Sequence, residues 1–146
     1  WRLEMRTDGS IGHPEAAIER TNLGDASSLV VSTDILIAGT DGRIRRFSLD
    51  TQQKGQEIGF PIPKLDQPLL IPASLTIGSQ TKLIYAVDRG NNRVVIFSPG
   101  GDLIAQFRAD MLDGVRGIVT DEKNRLAYYV TIDSLISSAL PELGIR

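Results

Sequence analysis

The chain has 146 residues, of which 41% are hydrophobic and 23% charged, and its formal net charge is −2. This balance fits one folded domain with a sizeable core, and it excludes a disordered chain, which would need fewer apolar residues and more net charge. The absence of cysteine excludes disulfides and thiolate chemistry, and the small negative charge disfavours nucleic acid as a partner.

The start of the chain indicates a piece of a longer protein. The first residue is Trp1, with neither an initiating methionine nor a basic-then-apolar signal pattern. No apolar run reaches the 18 residues that a membrane helix needs. We therefore expect an excised segment without a membrane span, in a compartment that the sequence leaves open.

The opening segment has the weakest pattern. Trp1–Met5 alternates apolar and charged residues, which predicts a strand, and residues 6–22 favour a loop with a short helical turn around Pro14–Ile18. His13 is the only histidine, and neither H-E-x-x-H nor G-x-S-x-G accompanies it. We predict a surface residue here and not a zinc ligand or a catalytic base.

Three short apolar runs follow, and they are typical of strands joined by turns. They cover Ser28–Val31, Ile35–Ala38 and Arg43–Phe47. The Asp41-Gly42 pair between the last two favours a hairpin with a type I′ turn.

A local basic cluster lies in the third run. Strand alternation sends Arg43 and Arg45 to one side and Arg46 to the other, and Asp41 and Asp50 lie close by in the chain. The split charge favours a solvated strand over an RNA-binding face.

The middle of the chain repeats this design more clearly. A polar connection at 51–59 and a proline-rich crossing at 61–72 lead into further apolar runs. Turn-forming residues separate the runs Ser74–Ile77, Leu83–Val87, Arg93–Phe97 and Leu103–Phe107.

A third copy begins with Val115–Val119 and Leu126–Val130. The stretch Thr131–Leu143 is ambiguous, because Asp133 is a good helix N-cap while Ser134–Leu140 also fits a strand. We favour the strand because it keeps the repeat in register.

The spacing between copies predicts the architecture. Leu29 and Leu75 lie 46 positions apart, and Ile118 follows 43 positions later. Periods of about 40–50 residues with four short strands are typical of propeller blades. The sequence therefore predicts an all-β fold, a β-propeller fragment of about three four-stranded antiparallel blades. The repeats would lie at approximately 25–67, 68–112 and 113–146, after a partial blade at 1–24.

One segment carries a family resemblance. Tyr85–Phe97 reads YAVDRGNNRVVIF, and its D-x-x-N-N-R core followed by an apolar strand resembles the signature of NHL repeats. The resemblance implies a propeller, commonly of six blades, so that further blades or a second copy would complete the ring. It also implies two alternatives, because some NHL propellers bind RNA and some similar six-bladed enzymes hold calcium.

The sequence offers only weak site candidates. Asp88, Asn91, Asn92, Arg93 and the matching Arg43 would contact a ligand at the propeller rim, although the same residues also suit the construction of a turn. We predict no catalytic residues, no metal and no cofactor, because most carboxylates occupy turn positions and no D-x-D-x-D-G loop exists.

The functional prediction follows from these points. We expect a non-catalytic binding or scaffolding module of a larger protein, with a protein or a small ligand as its partner. The alternatives are part of a calcium-dependent propeller hydrolase or lyase, and an RNA-binding NHL module.

Overall fold

The computed structural model of the protein describes residues 7–9, 18, 23–108 and 110–143. The strands of these ranges form three antiparallel sheets, which we call sheets A, B and C. Sheet A comprises β1 (Ala26–Val31), β2 (Asp34–Gly39) and β3 (Ile44–Ser48). Sheet B comprises β4 (Pro72–Ile77), β5 (Ile84–Asp88), β6 (Arg93–Phe97) and β7 (Leu103–Arg108). Sheet C comprises β8 (Gly117–Asp121), β9 (Leu126–Val130) and β10 (Leu135–Ala139). Short 3₁₀ turns span Arg89–Asn91 and Asp110–Gly114.

The three sheets are arranged like blades around an axis. Within each sheet the strands follow one another in chain order, so that every connection is a hairpin. The first strands of the sheets lie beside one another, with β4 between β1 and β8. Each sheet then packs one face against the next sheet. The fold is thus all-β and has the form of a β-propeller fragment.

Sheet B is buried on both faces, which explains why its central strands read as continuous apolar runs. Leu75, Ala86 and Val95 pack toward sheet A with Leu36 and Ile44. The opposite face of sheet B joins sheet C in a second cluster of buried residues, Tyr85, Val87, Val94, Ile96, Ile118, Ala127 and Tyr129. A strand buried on both faces loses the polar alternation of a half-exposed strand.

The crossing from sheet A to sheet B covers the first of these cores. Phe60, Leu65 and Leu69 are buried with the residues of sheets A and B. The Phe60 ring meets the Phe97 ring edge to face, with 5.7 Å between the ring centroids. The proline-rich segment therefore contributes core side chains although it forms no strand.

A serine in the first strand of sheet A, and another in the first strand of sheet B, accepts a hydrogen bond from the first strand of the next sheet. The Ser28 Oγ accepts a hydrogen bond from the backbone N–H of Leu75 at 2.9 Å. The Ser74 Oγ accepts one from the N–H of Ile118 at 3.2 Å. Both serines follow a register shift in their strand. Because the same bond recurs 46 positions later in the chain, the stacking of the sheets follows one repeated rule.

The sheets differ in size from the predicted four-stranded blades. Sheet B has four strands, whereas sheets A and C have three each within the described residues. In sheet A the fourth position is held by a single bridge between Phe47 and Glu57, with Ser48 donating to the Gln56 carbonyl. The polar segment 51–57 lacks the β-branched and aromatic residues, apart from Thr51, that stabilise a strand.

Two local predictions can be compared with the structure. The strand predicted at Ser134–Leu140 is confirmed, because β10 pairs with β9 over Leu135–Ala139. The type I′ turn at Asp41-Gly42 is wrong: within the described turn 40–43 only Gly42 has a positive φ, of 79°. A Cβ on Gly42 would also lie 2.2 Å from the Leu69 carbonyl oxygen, so the crossing segment requires glycine here.

Other predictions fall outside the described residues. They are the strand at Trp1–Met5, the surface position of His13 and most of the turn around Pro14–Ile18. Within the ranges that are described, no helix has the length and apolar character needed to cross a membrane.

Candidate functional site

The D-x-x-N-N-R motif forms the β5–β6 hairpin of sheet B. Asp88 ends β5 and Arg93 begins β6, and the two residues are cross-strand partners. The Arg93 Nε lies 3.0 Å from the Asp88 Oδ2, and the side chains are only 2% and 0% exposed. Asn92 adopts the left-handed conformation, with φ of 49°, that closes the turn. The motif therefore places an ion pair inside the protein.

The remaining bonds of this pair attach sheet B to the crossing segment. The Asp88 Oδ1 accepts hydrogen bonds from the backbone N–H groups of Leu70 and Ile71 at 3.0 and 3.2 Å. Asn91 Nδ2 donates to the Asp88 Oδ2 at 2.7 Å and to the Pro68 carbonyl at 2.9 Å.

Arg93 completes this network. Its Nη1 donates to the Gln106 side chain at 2.9 Å, and its Nη2 donates to the carbonyl oxygens of Gln67 and Pro68. These bonds point into the protein and fix residues 67–71 on sheet B. Ligand contact by Asp88, Asn91, Asn92 and Arg93 stays a prediction.

The arginines of β3 occupy different environments. Arg45 pairs with Asp41 at 2.6 Å on one face of the strand, and Arg46 Nε donates to the Asp34 Oδ2 at 2.8 Å on the other. The hydrogen bond from Arg45 lowers the pKa of Asp41, and the same bond raises the pKa of Arg45. Arg43 extends into solvent, 3.9 Å from Asp41. The split of the basic cluster agrees with the predicted alternation, and ligand contact by Arg43 stays a prediction.

Glu122 links sheet C to sheet B. Its Oε2 accepts from the backbone N–H groups of Gln80 and Thr81 at 2.6 and 3.0 Å, and its Oε1 accepts from the hydroxyls of Thr81 and Tyr85. A Cβ on Gly78 would lie 2.2 Å from the Glu122 Oε1, so glycine lets the carboxylate reach the turn.

These contacts shift two pKa values. Burial alone would raise the pKa of Glu122, but the hydrogen bonds from Thr81, Gln80 and Tyr85 outweigh it and lower that pKa. Burial, followed by the negative charge of Glu122, raises the pKa of Tyr85 to about 12. Both groups keep their ordinary charge at neutral pH, which suits a structural contact.

A cavity of about 240 Å³ lies between sheets A and B. It opens where the β1–β2, β4–β5 and β6–β7 turns come together. Its walls are mainly apolar and are formed by Leu36, Ile77, Ile84 and Pro99. Its polar lining residues are Ser32, Thr33, Asp34, Arg46 and Lys82.

The cavity carries more positive than negative charge. Arg46 is held by Asp34 and by the Pro99 carbonyl, to which its Nη1 donates at 3.2 Å. Lys82, at a backbone φ of 60°, is exposed and donates from Nζ to the Ser79 carbonyl at 2.8 Å. With one carboxylate against two cations, the cavity suits a ligand that has an apolar body and a negative group.

Sequence reasoning missed the cavity and Glu122. The cavity residues come from the turns and strand ends of two sheets and lie far apart in the chain, and the only one that the sequence analysis singled out is Arg46 of the basic cluster. Glu122 is one acidic residue in a polar turn, with no local sign of its partners in sheet B. Across the described ranges, no group of three or more histidine, aspartate or glutamate side chains is placed to hold a metal ion.

Comparison with known proteins supports the fold. No family model matches the chain, and no curated protein matches it. Among solved structures, a gluconolactonase from Xanthomonas campestris aligns with 95% of this chain at 13% identity and a TM-score of 0.59. A catalytically inactive variant of virginiamycin B lyase from Staphylococcus aureus aligns with 96% at 15% identity and a TM-score of 0.52. Hydrazine synthase of Kuenenia stuttgartiensis aligns with 82% at 14% identity and a TM-score of 0.58.

The chain spans less than half of each of these proteins, covering 44% of the gluconolactonase, 48% of the lyase and 33% of the hydrazine synthase. At this level of identity the likeness shows the fold alone. The gluconolactonase and the lyase are propeller-like enzymes, in agreement with the stacked sheets seen here.

Proposed function

We propose that the chain is a non-catalytic binding and scaffolding module, a part of a propeller that packs against further sheets of the same kind. The supporting observation is the apolar surface at both ends of the stack. Leu29 and Val31 are exposed on the outer face of sheet A. Val119, Val130 and Leu135 are exposed on the outer face of sheet C.

The contact between sheets A and B indicates how an exposed face of this kind would be covered. Leu29 occupies the position in sheet A that Leu75 occupies in sheet B, yet Leu29 is 59% exposed and Leu75 only 4%. The difference arises because sheet A covers Leu75. On the outer face of sheet A, by contrast, Ile18 and Leu23 pack against the buried residues Ile35, Ile37 and Phe47 and leave Leu29 exposed. Burying a leucine side chain contributes about 1.5–3 kcal/mol, so the apolar side chains that stay exposed at the two ends of the stack favour a further sheet. Loops at the two ends of the completed stack would then carry the binding.

Sedimentation velocity of the chain at increasing concentration tests this proposal. We expect concentration-dependent association through the open faces. Val119→Lys with Leu135→Lys should abolish it, because two charges on one open face oppose burial. Ile104→Lys, on the outermost strand of sheet B, is the matched control and should leave association unchanged. A wild-type chain that stays monomeric, or a control as damaging as the double variant, would contradict the proposal.

A second candidate is part of a propeller hydrolase or lyase. It is favoured by the similar structures, which include a gluconolactonase and a virginiamycin B lyase. If the chain belongs to the calcium-dependent kind, calcium should raise its melting temperature relative to a chelator. Under the non-catalytic proposal, calcium and chelator should give the same melting temperature.

A further inference from the structure

We propose that the cavity between sheets A and B binds a compact apolar molecule that carries a carboxylate. The site lies between two sheets that are both present, so it does not depend on what covers the ends of the stack. It is also separate from the Asp88–Arg93 hairpin, which lies at the opposite end of sheet B. This inference goes beyond the proposed scaffolding role and fails or stands independently of it.

The size of the cavity selects a small ligand. An apolar cavity of about 150 Å³ is large enough to hold benzene. The volume of about 240 Å³ therefore admits a phenyl ring with a short side chain, or a branched aliphatic group of similar bulk. The apolar walls are held in place, because Leu36 and Ile84 are buried in the core shared by sheets A and B.

The charges at the cavity select the negative group. Asp34 holds two nitrogens of the Arg46 guanidinium, which also donates to the Pro99 carbonyl. Arginine has five N–H donors, so two of them remain for a ligand. The Lys82 ammonium has three donors and uses one on the Ser79 carbonyl. A carboxylate would accept hydrogen bonds from both cations while its apolar body contacts Ile77 and Pro99.

The test compares two probes of similar shape, 3-phenylpropionate and 3-phenyl-1-propanol, by methyl NMR of the full chain. We expect the shifts of Leu36, Ile77 and Ile84 methyls to move with a Kd on the order of 1 mM for the carboxylate. The alcohol should bind about fivefold more weakly, because it lacks the charge. Methyls of Val119 and Leu135 on the open face report nonspecific apolar binding and should not move.

Variants distinguish the contribution of the Lys82 charge to binding from that of the apolar walls. Lys82→Gln should weaken carboxylate binding about fivefold and leave the alcohol unchanged. Lys64→Gln, which removes the same charge at an exposed position outside the cavity, is the matched control and should have no effect. Ile77→Phe, which fills the cavity, should abolish binding of both probes, with melting curves to show that the variant is folded.

Several results would overturn the inference. They are the absence of shifts at the cavity methyls, equal affinity for acid and alcohol, and equal effects of the two lysine variants. Should Ile77→Phe fail to fold, the lysine pair still decides the question, because both lysines are exposed and neither supports the core.

Discussion

The hairpins of sheets A and B occupy the same place in their sheets but differ in what they do. Each places an arginine just after the turn that follows the second strand, Arg43 in sheet A and Arg93 in sheet B. The Arg93 side chain is buried, whereas that of Arg43 is 77% exposed. The residue that pairs across the strand explains this, because Asp88 faces Arg93 and Gly39 stands opposite Arg43.

The hairpin of sheet C has no ion pair at this place. In sheet C, Thr131 and Ser134 occupy the corresponding places, and the Thr131 hydroxyl accepts from the Ser134 N–H at 3.0 Å. No charge is involved in that bond. The three hairpins thus use an ion pair, a solvated arginine or a hydroxyl turn, and among them only the ion pair anchors a crossing segment.

The largest expected effect removes the buried arginine. Arg93→Met leaves the Asp88 carboxylate buried without its cation, which should lower the free energy of unfolding by about 3–5 kcal/mol. Urea unfolding of both proteins measures the difference. Arg43→Met is the matched control in sheet A and should change stability by no more than about 0.5 kcal/mol. Equal losses in the two variants would show that the hairpins do not differ as their burial indicates.

A smaller effect is expected where the inner strands meet. Ser74→Ala removes the acceptor of the Ile118 N–H, and an unsatisfied buried donor costs about 1–3 kcal/mol. Ser137→Ala, on the exposed face of β10, changes the same atoms without that bond and should be nearly neutral. Chemical denaturation distinguishes the two, and a neutral Ser74→Ala would mean that the serine bond does not hold the sheets together.

The smallest effect concerns acid stability. The folded pKa of Glu122 lies below its ordinary value of 4.5, so the unfolded chain binds the proton first as the pH falls. The stability that Glu122 contributes is therefore complete above about pH 4.5 and is lost as the pH falls through its folded pKa. Glu122→Gln should flatten this part of the pH–stability curve.

Glu142→Gln serves as the control for the acid experiment. Glu142 is exposed and pairs with Arg125, and both residues lie next to strands of sheet C, so this pair does not join two sheets. Melting temperatures recorded from pH 3 to pH 7 give both curves. If Glu122→Gln leaves the wild-type pH dependence intact, the contact between sheets B and C does not titrate as described.

Much of the fold was predictable because local patterns decide strands and turns. Arg93–Phe97 and Leu126–Val130 form strands with the predicted bounds, since short apolar runs between turn residues leave few alternatives. In sheet A the predicted fourth strand is reduced to a single bridge between Glu57 and Phe47. The sequence could not predict this, because the pairing of such a polar segment depends on its partner in β3. The candidate cavity could not be predicted, because its residues converge only when two sheets stack.

The sequence by itself determined the hairpins and their repeat, because period-two alternation and turn chemistry act within a few residues. Only the tertiary structure decided that Asp88 and Arg93 are buried under the crossing segment, that Glu122 reaches the turn at Gly78, and that the turns of sheets A and B enclose a cavity. These features depend on contacts between residues far apart in the chain, and such contacts exist only once the sheets have packed.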